Sequence, residues 1–493
     1  MKKRLLALFL VLLMTAPLTA CSKAGSETSD PSSDVQTPDA VSEEADAETV
    51  PPETDDLPEK DYAGADVLIY SEGYLTNDYH NFYNIYEETG SVVSDAAYQR
   101  NRTIEERFNV KLAYTDDAPK EDMSTFKNSV AAGSMEYDLV SGIGTFLTQC
   151  ISAGYLQNLK DLAHVNLSKS YYQHYINEEM EMLGKQFTAS GYFDMATMAR
   201  TAVTFFSAKL AEDYDLGNLY SLVDTNEWTF DKMLSLAAAS SVDTDGDGTM
   251  TEADQYGLCG GYNMNSLLIV STGYRFTTKN DDGTRRSTGY TEGLLDFNNL
   301  LLDTYSQNWY YNCYIYGDKN HYNDVAVPNF IQDKYLFFLY DISWAQNFAG
   351  EMEDYGILPI PKYQAEQEAY MSYCRPAMTA VPSDAKDSEL SGILLEALNY
   401  ESKKTVLPAY YDIALSNRYA SSPEASATLD TIFANVACDF AQNWYSALGL
   451  SPNLHNSIGI NPDYVSYYEG IQKMFDKKLT DIFESVKRTT EGG

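Results

Sequence analysis

The chain has 493 residues, with 72 acidic side chains against 34 basic ones and a net charge of −38. So acidic a surface argues against nucleic acid and against docking on anionic lipid. From Tyr62 onward there are 432 residues, more than one core accommodates, so two or more lobes are expected.

Residues 1–21 read MKKRLLALFLVLLMTAPLTAC. Lys2, Lys3 and Arg4 precede an unbroken apolar run from Leu5 to Met14. The run falls short of the ~20 residues that span a bilayer. Basic, apolar and small-residue regions in this order predict a secretory signal peptide over 1–20. Its end, Leu18-Thr19-Ala20-Cys21, resembles the bacterial lipobox. The motif implies that the Cys21 thiol is acylated and becomes the new N-terminus, leaving an extracytoplasmic chain held to the cell membrane. Ser22 to Asp61 holds 13 acidic residues against two lysines and almost no large apolar side chain. Such a segment cannot offset its ordering entropy, so residues 21–61 are expected to be a lipidated cysteine and a disordered, extended stalk. Cys150, Cys259, Cys313, Cys374 and Cys438 are odd in number and widely spaced, which suits buried free thiols and not a disulfide framework.

Strands and helices alternate after the stalk. Val67 to Tyr70 reads as a buried strand that ends in Ser71-Glu72-Gly73. Ser94 to Phe108 has helical apolar spacing, with Ser94 placed as N-cap. Val110 to Tyr114 is a second strand, Met123 to Ala132 a helix broken at Gly133, and Tyr137 to Val140 a third strand. A small-residue turn, Ser141 to Gly144, then leads into a helix from Phe146 to Ala153 that Gly154 ends. This rhythm predicts a parallel sheet covered on both faces, with ligands beyond the carboxyl ends of its strands. Glu72, Tyr74 and Ser141 fall on that rim. The 40 tyrosines, against 20 Phe and four Trp, suit surfaces that stack on sugar rings and bond their hydroxyls, and equally a core that uses Tyr in place of Phe.

Several stretches, in order, resemble the extracellular solute-binding proteins of ABC importers, family 1, in the carbohydrate branch of maltose-binding-protein-like chains. They are Glu87 to Tyr114, Ala153 to Leu162, Gly191-Tyr192-Phe193 with Val203 to Leu216, Phe330 to Trp344 (FIQDKYLFFLYDISW), and Tyr355 to Pro361. Gln332-Asp333 stands where the family has Gly before Lys334, Ser343 replaces the Gly before Trp344, and Ala208 replaces a family asparagine. The resemblance implies an α/β, two-lobed periplasmic-binding-protein-like (type II) fold with a hinge and an interlobe cleft. The chain would cross near 197–201, return near 359–361 and cross again near 401–407. Lobe one is then 62–197 plus 362–403, and lobe two 198–361 plus 404–493. It also implies a monomer that binds a carbohydrate ligand, closes, and is recognised by ABC permease subunits.

Asp243, Asp245, Asp247, the Thr249 carbonyl and Asp254 occupy positions 1, 3, 5, 7 and 12 of a loop with Gly248 at position 6. Oxygens at that spacing wrap one hard cation, and the loop resembles an EF-hand or dockerin calcium loop. A structural Ca2+ is expected there. Ligand contacts are expected from Trp344 and Trp444 as stacking rings, from Asp341, Glu72 and Ser141 as hydroxyl partners, and from Tyr74, Arg200 and Tyr373 around the cleft. Carboxylates and aromatic faces fit a neutral sugar.

No catalytic residue is expected. GxSxG and HExxH are missing, and Ser124-Thr-Phe-Lys127 and Ser383-Asp-Ala-Lys386 have no SDN or KTG beside them. A lipid-anchored carbohydrate-active enzyme, needing a carboxylate pair about 5–10 Å apart, and a capture protein without an importer are the alternatives.

Overall fold

The computed structural model describes residues 53–73, 87–115, 122–261, 265–313, 321–348, 350–352, 354–414, 422–450, 454 and 457–491. The signal peptide, Cys21, most of the expected stalk and Tyr74 lie outside the described residues.

In chain order the first lobe contributes β1 (Ala65–Ser71), α1 (Val92–Phe108), β2 (Val110–Tyr114), α2 (Ser124–Ala131), β3 (Leu139–Ile143), α3 (Gly144–Ser152), α4 (His174–Met180) and α5 (Met195–Ala199). The second contributes β4 (Ala202–Ser207), α6 (Phe230–Ala239), β5 (Tyr256–Gly260), β6 (Thr277–Lys279), β7 (Arg285–Ser287), α7 (Glu292–Ser306), β8 (Tyr310–Asn312), β9 (Tyr335–Asp341) and β10 (Tyr355–Pro359). The chain ends with β11 (Ser372–Tyr373), β12 (Ala377–Ala380), α8 (Ser388–Ala414), α9 (Pro423–Ala434), β13 (Val436–Ala437), α10 (Phe440–Asn443) and α11 (Tyr464–Glu491).

The first sheet runs β12-β3-β1-β2, with β1 parallel to β2 and β3, and β12 antiparallel at the edge. Val93, Ala97, Arg100, Ile104 and Phe108 recur every three or four residues and are the buried face of α1. The helix starts from Ser91, three residues before the expected cap. Asp95 explains the difference, because its carboxylate accepts the Thr89 and Gly90 N–H groups at 2.7 and 3.2 Å and ties down the entering chain. Asn109, left-handed at φ 47°, turns the chain into β2. Ser141 and Gly142, expected in a turn, are strand. They pair with Thr379 and Met378 of β12, and this ladder overrides their turn propensity.

The second sheet runs β10-β4-β9-β5-β8. Trp228 is fully buried beneath it; its indole N–H donates to the Pro359 carbonyl at 2.8 Å and its ring lies 5.4 Å from Phe337. Many tyrosines serve the core in the same way: Tyr70, Tyr171, Tyr220, Tyr335 and Tyr355 are fully buried.

After Arg200 and Thr201 the chain enters β4 of the second sheet, and after Pro359 it goes on to β12 of the first. The third passage lies inside the single 27-residue helix α8. Two boundaries differ. Residues 54–61, assigned to the stalk, belong to the folded body that begins at Thr54. Arg107 pairs with Asp55, Lys169 with Asp56 at 2.6 Å and Lys60 with Glu389 at 2.7 Å, so the body's cations hold the acidic segment that composition alone would leave disordered. Residues 404–493 do not all follow lobe two. α9 covers β10, but α10 and α11 touch α3 of lobe one, where Ser485 Oγ donates to the Ser152 carbonyl at 3.1 Å.

Candidate functional site

Lobe one offers a rim at the carboxyl ends of β1 and β3. Glu72 is fully buried, and its N–H donates to the Ser141 carbonyl at 3.0 Å. Ser141 Oγ and Thr379 Oγ1 each donate to Asp194 Oδ1 at 2.9 Å. Ser141 is thus committed to Asp194, an acceptor the sequence reading missed. The available signal was its place directly after Gly191-Tyr192-Phe193, on the way to the crossing.

At the crossing, three expected residues share one neighbourhood. Arg200 is 7% exposed and stands two residues before Ala202, which pairs with Asp341 at the end of β9. Ile342 N–H donates to the Thr201 carbonyl at 2.9 Å and locks the two strand ends together. Burial pushes the Asp341 carboxyl up to about 6, against the opposing pull of the Ser343 hydroxyl and the Arg200 charge. Burial likewise raises the Tyr373 phenol, while Arg375 and Arg200 draw it down. Tyr410 of α8 joins the group, its phenol raised by burial and then by the Asp341 charge. Neither Tyr410 nor Arg375 carried a sequence signal, since nothing along the chain says that α8 bends its face toward β9.

The two tryptophans separate. Trp344 is half-buried and meets Tyr340 edge-on at 5.1 Å and 81°; Tyr340 in turn stacks on Phe338. Trp444, expected as an exposed stacking ring, is fully buried with Phe440 stacked on it at 5.6 Å. Phe440, one turn earlier on the same helix, takes a face of the indole that a sugar would have used. Its edge is a different matter. Trp444 Nε1, Gln442 Nε2 and Thr145 Oγ1 are buried and have no hydrogen-bond partner among the described residues. All three belong to the α3–α10 junction, where Thr148 Oγ1 donates to the Asn443 carbonyl at 3.4 Å. Gly144 permits this approach: a Cβ there would lie 2.5 Å from Asn443 Oδ1 and 2.2 Å from Met378 Cε. An unpaired buried donor costs about 1–3 kcal/mol, so three at one junction of a native fold call for acceptors.

The acidic loop is only partly as expected. One carboxylate oxygen each of Asp243, Asp245 and Asp247 lies within 4.8 Å of the others, a spacing that fits one oxygen-liganded cation. Asp254 is not in this group. Thr244 donates through its hydroxyl and N–H to Oδ1 at 2.7 and 2.9 Å, and Thr251 does the same to Oδ2 at 3.1 and 2.8 Å. These bonds hold its carboxyl far below the usual range and make it a clasp for the loop ends. Thr249 donates its N–H to Asp247 Oδ1 at 2.7 Å.

No protein-family model and no curated protein sequence matches the chain. Solved structures do. A sugar-binding protein MalE from Xanthomonas citri superimposes with a TM-score of 0.58 at 12% identity, covering 85% of this chain and 99% of that one. UspC from M. tuberculosis gives 0.55 at 14% identity, covering 84% and 100%. A sugar transporter from Rhizobium etli, in an open conformation, gives 0.53 at 14% identity, covering 86% and 99%. The chain therefore has the two-lobed periplasmic-binding-protein fold of maltose-binding-protein-like chains. Among the described residues, no helix is long and apolar enough to cross a membrane.

Proposed function

We propose that this chain is the substrate-binding lipoprotein of an ABC importer, one that takes a sugar or oligosaccharide between its lobes and presents it to a membrane permease. The observation that carries the reading is the α3–α10 junction, with its three unpartnered buried donors beside the β1–β3 rim. Hydroxyl and ring oxygens of a carbohydrate supply the acceptors those donors need, and Trp344, still half-exposed, supplies an aromatic face. The structural neighbours described as sugar-binding point the same way. Binding that favours the closed arrangement is all that hinge closure requires. Cys21, acylated and joined to the body by the acidic segment, would keep the trap near its permease at high effective concentration. The chain needs no catalytic group in this role.

A thermal-shift screen of the purified chain against mono- and oligosaccharides, with peptides and polyamines as controls, tests the reading. A sugar is expected to raise the melting temperature by several degrees. Silence from every sugar together with a response to a peptide would overturn it.

We also assign a structural Ca2+ to Asp243, Asp245 and Asp247, with the Thr249 carbonyl as a further oxygen and Asp254 as the clasp behind it. Three carboxylates so close repel one another unless a cation joins them. EDTA is expected to lower the melting temperature and added calcium to restore it; identical melts with and without calcium would remove the ion from this account.

A further inference from the structure

Between β5 and α7 the chain forms a hairpin, β6–β7, that packs on α11 through β7 and reaches α4 and Leu183 of lobe one. The Leu183 N–H donates to the Gly283 carbonyl at 3.0 Å. The backbones meet so closely that a Cβ on Gly283 would stand 2.8 Å from Leu183 Cα. Lys279 pairs with Glu181, which Lys160 of lobe one holds from the other side at 2.5 Å. Deeper in, Arg285 Nη1 lies 3.1 Å from Glu179 Oε1, and Arg285 Nη2 donates to the Glu179 carbonyl at 2.5 Å. The side chains of this pair are 3% and 15% exposed.

Glu179 has a second partner. Its Oε1 accepts the Phe440 N–H at 2.9 Å, and the Arg285 guanidinium lies over the Phe440 ring at 4.7 Å. Phe440 opens α10, the short helix that carries Gln442 and leads into Trp444. One buried carboxylate therefore ties together α4 of lobe one, the hairpin of lobe two and the helix that bears the unpartnered donors. A buried ion pair adds little net stability over apolar packing, but breaking it by removing one partner is costly, so it specifies an arrangement.

We propose that the β6–β7 hairpin is a strap that fastens the two lobes to each other, with Arg285 and Glu179 as positioning residues that hold α10 against α3. The strap rests on the two-lobed reading of the fold and not on the identity of the ligand. Opening the cleft separates Arg285 from Glu179 and Gly283 from Leu183 together, so the strap releases as a unit.

The test needs no ligand. Spin labels on Glu136→Cys and Glu212→Cys, exposed positions on the two lobes, report the interlobe distance by electron–electron resonance. The native cysteines among the described residues are buried, away from the labelling reagent. A chain with an intact strap is expected to give one narrow distance. Arg285→Gln and Glu179→Gln should each raise a longer-distance population about tenfold or more. Lys279→Glu, which sets two acids face to face at the surface, should raise it less. Unchanged distributions in these variants would overturn the strap. Should the buried variants fail to fold, Lys279→Glu decides by itself: a longer population supports the strap and an unchanged one refutes it. A chain that binds no sugar but opens on strap substitution would refute the proposed ligand and leave the strap standing.

Discussion

Gly257→Ala is expected to lower the melting temperature of the second lobe by many degrees, while Gly260→Ala, in the same strand, is expected to change it little. A Cβ at Gly257 would lie 1.8 Å from the Ala237 carbonyl oxygen, 2.3 Å from its carbon and 2.5 Å from its Cα. All three atoms are backbone of α6, so no side-chain rotation relieves the clash. The helix would have to withdraw by more than an ångström. That would pull Phe230 from Phe297, whose rings now meet at 5.1 Å, and loosen the buried Met233 and Ala237. Overpacking a tight core costs about 1–3 kcal/mol when side chains can adjust, and more is expected where two main chains collide. At Gly260 the nearest atom would be Leu339 Cδ1 at 3.6 Å, an ordinary contact. Calorimetry of both variants checks the pair. Equal melting temperatures would mean that β5 and α6 do not approach as closely as described.

That contrast also shows what the sequence could and could not reveal. Gly257 and Gly260 look alike in Tyr256-Gly-Leu-Cys-Gly260, because the difference lies in a helix nearly 20 residues earlier. Local patterns were legible: the runs at 67–70 and 110–114 follow from periodicity and breakers that act over a few residues. Boundaries set by distant partners were not. Residues 54–61 read as stalk because the cations of Arg107 and Lys169 are invisible from within that segment. Ser141 read as turn because its partner Thr379 lies far along the chain. The site divides in the same way. Arg200, Asp341 and Tyr373 were chosen from their places along the chain, and the fold does bring them together. Asp194 and Tyr410 reach the same rims through tertiary contacts alone. Position 12 of the acidic loop shows the limit of spacing as evidence, since Thr244 and Thr251 take both oxygens of Asp254 that the pattern reserved for a cation.

Gln442→Met is expected to raise stability and weaken sugar binding together, and that opposition separates a ligand contact from a packing residue. Gln442 is 8% exposed, and its Nε2 has no partner among the described residues. Met has nearly the same length and flexibility and no polar hydrogen. Removing a buried donor that nothing satisfies should return about 1 kcal/mol or more to the unliganded fold. Helix α10 should keep its place, because its anchors are elsewhere: Asp439 Oδ1 accepts the Gln442 N–H at 3.0 Å, and Glu179 accepts that of Phe440. A ligand oxygen that bonds the amide loses that bond in the variant, and one neutral hydrogen bond is worth about 0.5–1.5 kcal/mol, or up to about tenfold in affinity. Trp444→Phe removes the second donor while keeping a ring against Phe440, so the two substitutions should weaken binding in succession. Melting curves without ligand and titration calorimetry with the sugar found in the screen give both readings from one preparation. If Gln442→Met lowered stability and left affinity unchanged, the α3–α10 junction would be core packing and the ligand would have to be sought along the Arg200–Asp341 edge.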